Sequence, residues 1–208
     1  MIKNLKNHYQ VLLDTHGDSP AAVQHRDKES QYKRFEILTE IDHQAKSFID
    51  IGCGLSDLFD YLLQRGFNGK YLGLDFLSGF IQLSKEKYNA YPNGEFNVFD
   101  LDVDKIPRGY EYILLSGVFN NRIINSQDFM LNTIRMMFDS AEKGVAFNAM
   151  STYVDYQDDE LYYSNPLEVF DFCKKNITPY IVLKHDYILK AGSVGYEYTM
   201  YLFKDAKF

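Results

Sequence analysis

Ser47-Phe48-Ile49-Asp50-Ile51-Gly52-Cys53-Gly54-Leu55 is the stretch that decides how this chain folds. An apolar run that closes on an acid, breaks into alternating glycines and continues as a helical pattern reads as a buried strand, a tight turn and a helix start. Glycine lets that turn adopt positive φ and lets a ligand approach the backbone, because no side chain intervenes. The following helix aims its unpaired N–H groups and positive dipole end at the same place. A turn of this kind handles nucleotides, and its neighbours discriminate among them.

A phosphate-cradling loop ends its glycine run in Lys followed by Ser or Thr, whereas Ser56-Asp57-Leu58 follows here. A dinucleotide fold places Gly or Ala where Asp57 stands, and another carboxylate beside a pyrophosphate is repulsive. Asp50 points the same way, since it suits an ammonium better than a phosphate. S-adenosylmethionine (SAM) meets these demands: it carries an ammonium, a carboxylate, a cationic sulfonium and an adenosine, but no phosphate.

Asp50-Ile51-Gly52-Cys53-Gly54 resembles the first motif of the class I SAM-dependent methyltransferases, and the next landmarks follow in that family's order. Tyr71-Leu72-Gly73-Leu74-Asp75 is a second apolar strand ending in an acid, about 20 residues after Gly54, the spacing of a ribose-binding carboxylate. Phe96-Asn97-Val98-Phe99-Asp100 is a third; in the family its acid reaches the adenine. Tyr112-Ile113-Leu114-Leu115-Ser116-Gly117 is the fourth, whose end lies under the methionine part of the cofactor. Ser56 departs from the third alternate glycine of many members and reads as a small-residue variant.

At 208 residues, 46% of them hydrophobic and 25% charged, the chain is expected to form one globular domain. A net charge of −7 argues against broad nucleic-acid binding, which shows a basic stripe. Cys53 and Cys173 belong to different elements and form no metal-spaced group, so no metal site is expected and a reduced cytoplasmic setting is the simplest expectation. No run is long and apolar enough for a membrane span, and the start lacks the core of a signal peptide.

Residues 1–45 precede the first strand. Leu5, Tyr9, Leu12 and Leu13 form one amphipathic helix that breaks at His16-Gly17-Asp18-Ser19-Pro20, and Tyr32, Phe35, Leu38 and Ile41 form the stripe of a second. Both are expected to lie as a lid across the carboxyl edge of the sheet, where open α/β folds bind ligands; a packing extension is the competing reading. Residues 46–208 would form the Rossmann-like core. Leu55, Leu58, Phe59, Leu62 and Leu63 mark a helix stopped by Gly66, and another spans residues 78–89. Ser126 reads as an N-cap, Gly144 to Met150 as the fifth strand, Ser151 to Tyr163 as a loop over the site, and Asn165-Pro166 as a helix start. Two last strands, Tyr180 to Ile188 and Tyr196 to Phe203, pair as a hairpin. The resemblance implies a seven-stranded sheet in the order 3-2-1-4-5-7-6, with helices on both faces and the last strand inserted antiparallel.

The resemblance implies cofactor contacts from Asp50, Gly52, Cys53, Gly54, Asp75, Phe76, Asp100, Leu101, Ser116, Gly117 and Val118, with core packing the rival role of Phe76; Arg34 suits forked recognition of the cofactor carboxylate from the lid helix, with a solvated helix face as the competing reading. Catalysis is harder to read. Displacement at an activated sulfonium draws most of its acceleration from alignment, and a base is needed only for a protonated acceptor. His16, beside Asp18 in the lid break, is the candidate base; a loop histidine bonding to backbone is the rival. Asn120, Asn121, Asn148 and Tyr153 are placed to orient an acceptor. His16 to Pro20, Ser30-Gln31, Arg34-Phe35 and Leu161 to Pro166 further resemble a group of small bacterial methyltransferases whose acceptors are mostly unassigned. The expectation is methyl transfer from SAM to a small-molecule acceptor by in-line displacement. The alternatives are a non-catalytic SAM-binding sensor or subunit, a protein or RNA methyltransferase, and a nicotinamide oxidoreductase.

Overall fold

Strands with apolar residues on both sides need cover on both faces, and that demand organises the computed structural model, which describes residues 2–206. In chain order the elements are α1 (Ile2–His16), α2 (Lys28–Thr39), β1 (Ser47–Ile51), α3 (Asp57–Gln64), β2 (Lys70–Asp75), α4 (Ser78–Lys87), β3 (Gly94–Val98), β4 (Tyr112–Leu115), α5 (Ser126–Ser140), β5 (Gly144–Met150), α6 (Pro166–Asn176), β6 (Ile181–Lys184) and β7 (Glu197–Phe203). The sheet order is β3-β2-β1-β4-β5-β7-β6, as the resemblance implied. The first five strands in chain order are parallel, and β7 runs antiparallel between β5 and β6.

Side chains alternate across β1: Ile49 and Ile51 join the core under α5 and α6, with Met130, Ile134, Met137, Val169 and Cys173. Phe48 faces the opposite layer, built by Phe35 and Leu38 of α2, Leu58, Phe59 and Leu62 of α3, and Ile81 of α4. The expectation for residues 1–45 is therefore corrected in part. α2 packs as a core helix, its Phe35 and Leu38 buried against the sheet, and only its Gln31, Arg34 and Phe35 also reach the cavity at the sheet's carboxyl edge. Only α1 and the one-turn 3-10 helix Pro20–Val23 lie over the site, in a small cluster of Tyr9, Leu13, Ala22 and Val23 with Leu55, Phe76, Leu77 and Phe80.

Boundaries shift elsewhere for local reasons. α4 ends at Lys87, where Tyr88 leaves helical geometry. Asn125, at φ +60°, precedes α5 in place of the expected Ser126 cap, while the Ser126 hydroxyl bonds back to Ile123. Asn165 caps α6 as expected, its side chain accepting from the Leu167 amide at 3.0 Å. β6 is confined to residues 181–184, and the connection to β7 is correspondingly longer.

Candidate active site

β1, β2 and β4 end side by side, and their ends wall a cavity of about 350 Å³ beneath α1. Gly52 and Gly54 both hold positive φ there. A Cβ on Gly52 would lie 2.2 Å from Val118, and one on Gly54 would lie 2.7 Å from Val23, so the turn is confined between the loop after β4 and the lid. Ser56 takes the left-handed conformation that glycine adopts in the related pattern, and its buried hydroxyl bonds to Ser84 at 2.9 Å.

The amides of the turn are already committed. Gly52 and Cys53 both donate to the Leu74 carbonyl, at 2.7 and 3.1 Å, and Gly54 donates to Asp75 Oδ2 at 3.0 Å. A phosphate would find these three amides taken and three acids nearby, Asp50, Asp57 and Asp75. Asp75 also accepts from the Leu77 amide at 2.8 Å, and burial pushes its carboxyl up to about 6 against those hydrogen bonds. Asp50 accepts from the Tyr71 hydroxyl at 2.6 Å. Burial, opposed by that bond and reinforced by the charges of Asp75 and Asp57, pushes it up to about 7. Two costly buried acids make a strong attraction for a cation.

A second cavity of about 330 Å³ continues the first, sharing Leu5, Gly52, Asp75, Phe76, Val118 and Asn121. Phe99, Asp100, Leu101 and Asp102 line its far side. α1 bridges the two: Lys6 pairs with Asp100 at 3.2 Å, Tyr9 meets Phe76 and Phe80 edge-on, and the Tyr9 hydroxyl bonds to Gln24 and receives the Asn121 amide.

No family model matches the chain. A protein of Mycobacterium tuberculosis that bears a methyltransferase name is 31% identical over 160 residues, spanning 74% of this chain and 90% of that protein. This chain belongs to the class I SAM-dependent methyltransferases. Its fold matches the magnesium protoporphyrin IX methyltransferase of Synechocystis PCC 6803, solved with S-adenosylhomocysteine (SAH), at a TM-score of 0.66 and 13% identity over 85% of this chain and 84% of that one. It also matches a SAM-dependent methyltransferase of Aquifex aeolicus at a TM-score of 0.55 and 17% identity over 86% and 99% of the two chains.

The methyltransferase's own residues fit SAM. Its trough is lined by acids suited to hydroxyl and ammonium donors and has an aromatic and aliphatic end. Gln31 adds an observation of a different kind. Its amide nitrogen donates to Asp57 at 3.1 Å, while its Oε1 is buried without a hydrogen-bond partner, on a residue that borders the cavity. A bare acceptor beside the glycine turn matches a ligand that brings N–H groups.

Sequence reasoning named about half of the first cavity's lining and fewer of the second's. Asp50, Gly52, Cys53, Gly54, Asp75, Phe76, Ser116, Gly117, Val118, Asn120 and Asn121 all border the first cavity of the methyltransferase, and Asp100 and Leu101 border the second. Four expectations are corrected. His16 is exposed at the end of α1 and lines neither cavity, because the chain turns away there. Tyr153 is 57% exposed on the loop after β5 and lines neither. Asn148, 1% exposed, serves the fold: its Oδ1 accepts from the Gly117 amide at 2.9 Å and holds the bend after β4. Arg34 does border the cavity, but its fork is taken by Glu197, with both carboxylate oxygens 3.0 Å from Nε and Oε1 2.6 Å from Nη2.

Several residues of the wall were missed, Gln31, Glu197 and His25 among them. Glu197 opens β7, and because β7 runs antiparallel its first residue stands beside Met150 at the carboxyl edge of β5. The signal was an acid opening an otherwise apolar terminal strand. His25 is half-buried, with Nδ1 3.5 Å from Arg34 Nη1. Burial and then the Arg34 charge hold it down to about 3, so it stays neutral. Nothing in its local sequence separated it from His16.

Proposed function

We propose that the chain works as a single methyltransferase domain that moves the methyl group of SAM to a small molecule bound in the first cavity. When bound, SAM supplies an electrophilic methyl on a positive sulfur. Asp75 is assigned the ribose hydroxyls, since each of its oxygens has a further lone pair besides the one facing Gly54 or Leu77. Phe76, Phe99 and Leu101 enclose the adenine, with Asp100 at its rim. Asp50 and Gln31 receive the ammonium end, and Ser116 to Val118 support the chain that leads to sulfur. Glu197 keeps Arg34 from serving as a free carboxylate clamp.

The observation that carries the small-acceptor reading is enclosure. The space beyond the glycine turn is roofed by α1 and walled by Met150, Leu161 and Tyr196, and the whole first cavity, which must also take the methionine end of SAM, measures only about 350 Å³, so the share left for an acceptor is of metabolite size. The net charge of −7 also disfavours a polyanionic substrate. The test is SAH release from SAM in the presence of fractionated, deproteinised metabolite pools. Turnover that appears only with macromolecular fractions rejects the small acceptor.

A further inference from the structure

Arg34 decides what the wall of the first cavity near β5 and β7 offers to a ligand. Glu197 holds the Nε–Nη2 edge of its guanidinium, so Nη1 turns to the Ser30 carbonyl at 3.3 Å and to His25 Nδ1 at 3.5 Å. A guanidinium nitrogen carries only hydrogens to give. Nδ1 therefore presents its lone pair, and the one proton of the neutral ring sits on Nε2. Burial first and the Arg34 charge next hold His25 down to about 3, so the ring stays neutral. Burial also raises the Tyr196 phenol, while Arg34 opposes the rise with its charge and with a hydrogen bond to the phenol oxygen. The Tyr196 hydroxyl keeps its proton and has it to donate.

His25 and Tyr196 both border the first cavity, and both are half-buried. No described residue bonds to His25 Nε2 or accepts from the Tyr196 hydroxyl. Among the described residues the fully shielded side-chain polar atoms without a partner are Gln31 Oε1 and Asn120 Oδ1, so His25 Nε2 and the Tyr196 hydroxyl are open to solvent. Arg34 and Glu197 behind them are buried, with their charges set against each other. A ligand thus meets two neutral donors. Both match an oxygen that has lone pairs and no hydrogen of its own, which is the carbonyl or carboxylate type.

The place of these donors in the sheet assigns them to the acceptor. Glu197 opens β7, and β4 and β5 separate that strand from the glycine turn at the end of β1. At about 4.8 Å per strand the distance is roughly 14 Å along the sheet edge. The carboxylate of SAM shares a carbon with its ammonium, which is assigned to Asp50 and Gln31, so it stays near the turn. The donors governed by Arg34 and Glu197 stand on the other side, with Met150 and Leu161.

We propose that the methyl acceptor carries a carbonyl or carboxylate oxygen held by the Nε2–H of His25, with the Tyr196 hydroxyl as a second donor. The inference rests on the transferase reading above. His25 selects and aims the acceptor and moves no proton, because its other nitrogen faces a cation.

The tests use the full-length protein. Nitrogen-15 spectra of the imidazoles, with His25→Gln to assign the signal, are expected to show His25 neutral and protonated on Nε2 between about pH 5.5 and 8; a proton on Nδ1 overturns the proposal. Turnover is followed with a deproteinised bacterial extract as the acceptor pool and SAM carrying a heavy-carbon methyl. His25→Leu is expected to raise the apparent KM for the active fraction about fivefold to tenfold, while His25→Gln, which keeps an N–H near the position of Nε2, recovers most of the loss. The labelled product is expected to contain a carbonyl or carboxylate carbon. An unchanged KM in His25→Leu, or a product with neither group, overturns the proposal and leaves the transferase reading standing. Calorimetric affinity for SAH is expected to stay within about twofold in both variants. A loss of affinity for SAH that its decarboxylated analogue does not share gives the donors to the cofactor carboxylate and overturns the acceptor assignment. Absent SAH binding, or no turnover with any fraction, overturns the transferase reading and the proposal with it.

Discussion

Asp50→Asn removes a charge from the closed interior while keeping the shape of the side chain and an oxygen for the Tyr71 hydroxyl. In the cofactor-free protein the Asp50 carboxyl is pushed up to about 7, chiefly by burial, whereas in the unfolded chain it titrates near 4, an ordinary value of about 3.9. Between those values the folded protein holds a proton that the unfolded chain has released. Stability is then fully present below about pH 4 and falls as pH rises towards 7. The slope is up to about 1.4 kcal/mol per pH unit and the sum up to about 4 kcal/mol. Asp75, pushed up to about 6, contributes with the same sign in both proteins, so the difference between them isolates Asp50. Urea denaturation without cofactor, at steps from pH 4.5 to 7.5, is expected to show wild type losing stability relative to Asp50→Asn as pH rises. Curves that stay parallel refute the argument. Cofactor binding has the opposite dependence: a cation held by Asp50 displaces its proton, so wild-type affinity for SAM rises up to about pH 7 and the variant lacks that rise.

Three further outcomes follow from the geometry. Asp75→Ala is expected to weaken SAH binding by about 1.5–3 kcal/mol, because a charged hydrogen-bonding group is lost together with its hold on Gly54 and Leu77; an unchanged calorimetric Kd rejects the ribose role. Arg34→Met alone leaves Glu197 buried and unpaired, at an expected cost of about 3–5 kcal/mol, whereas Arg34→Met with Glu197→Leu recovers most of it. Chemical denaturation checks this, and additive losses refute it. Tyr9→Ala removes the edge-on contacts to Phe76 and Phe80 and the bonds to Gln24 and Asn121. It is expected to raise the Kd for SAH several-fold with little change in the thermal midpoint; a large drop in midpoint makes α1 part of the core rather than a cover.

How far the sequence reached depended on whether a property was local. Asp50 to Gly54, Asp75 and the apolar runs around them read directly, because strand, turn and helix start are written within a few residues by period and by backbone freedom. The strand order came from the family pattern, and its confirmation rests on hydrogen-bonded pairing between segments far apart in sequence. Asn148 and Tyr153 failed as site residues for opposite reasons: one turns inward to hold Gly117, and the other stands in solvent. Local composition records neither direction.

The amino-acid sequence by itself determined the glycine turn, the acids around it and the alternation of apolar segments, since each follows from short-range sterics and burial. Only the tertiary structure decided that α2 belongs to the core, that α1 and the 3-10 turn after it close the trough, and that Glu197 takes the fork of Arg34. Those outcomes depend on which surfaces meet across more than a hundred residues of chain, as the separation of 163 between Arg34 and Glu197 illustrates. The antiparallel entry of β7 brings a residue from near the end of the chain to the edge where β1 and β5 finish. That arrangement is an energetic result of filling one sheet from both faces, and no short segment carries it.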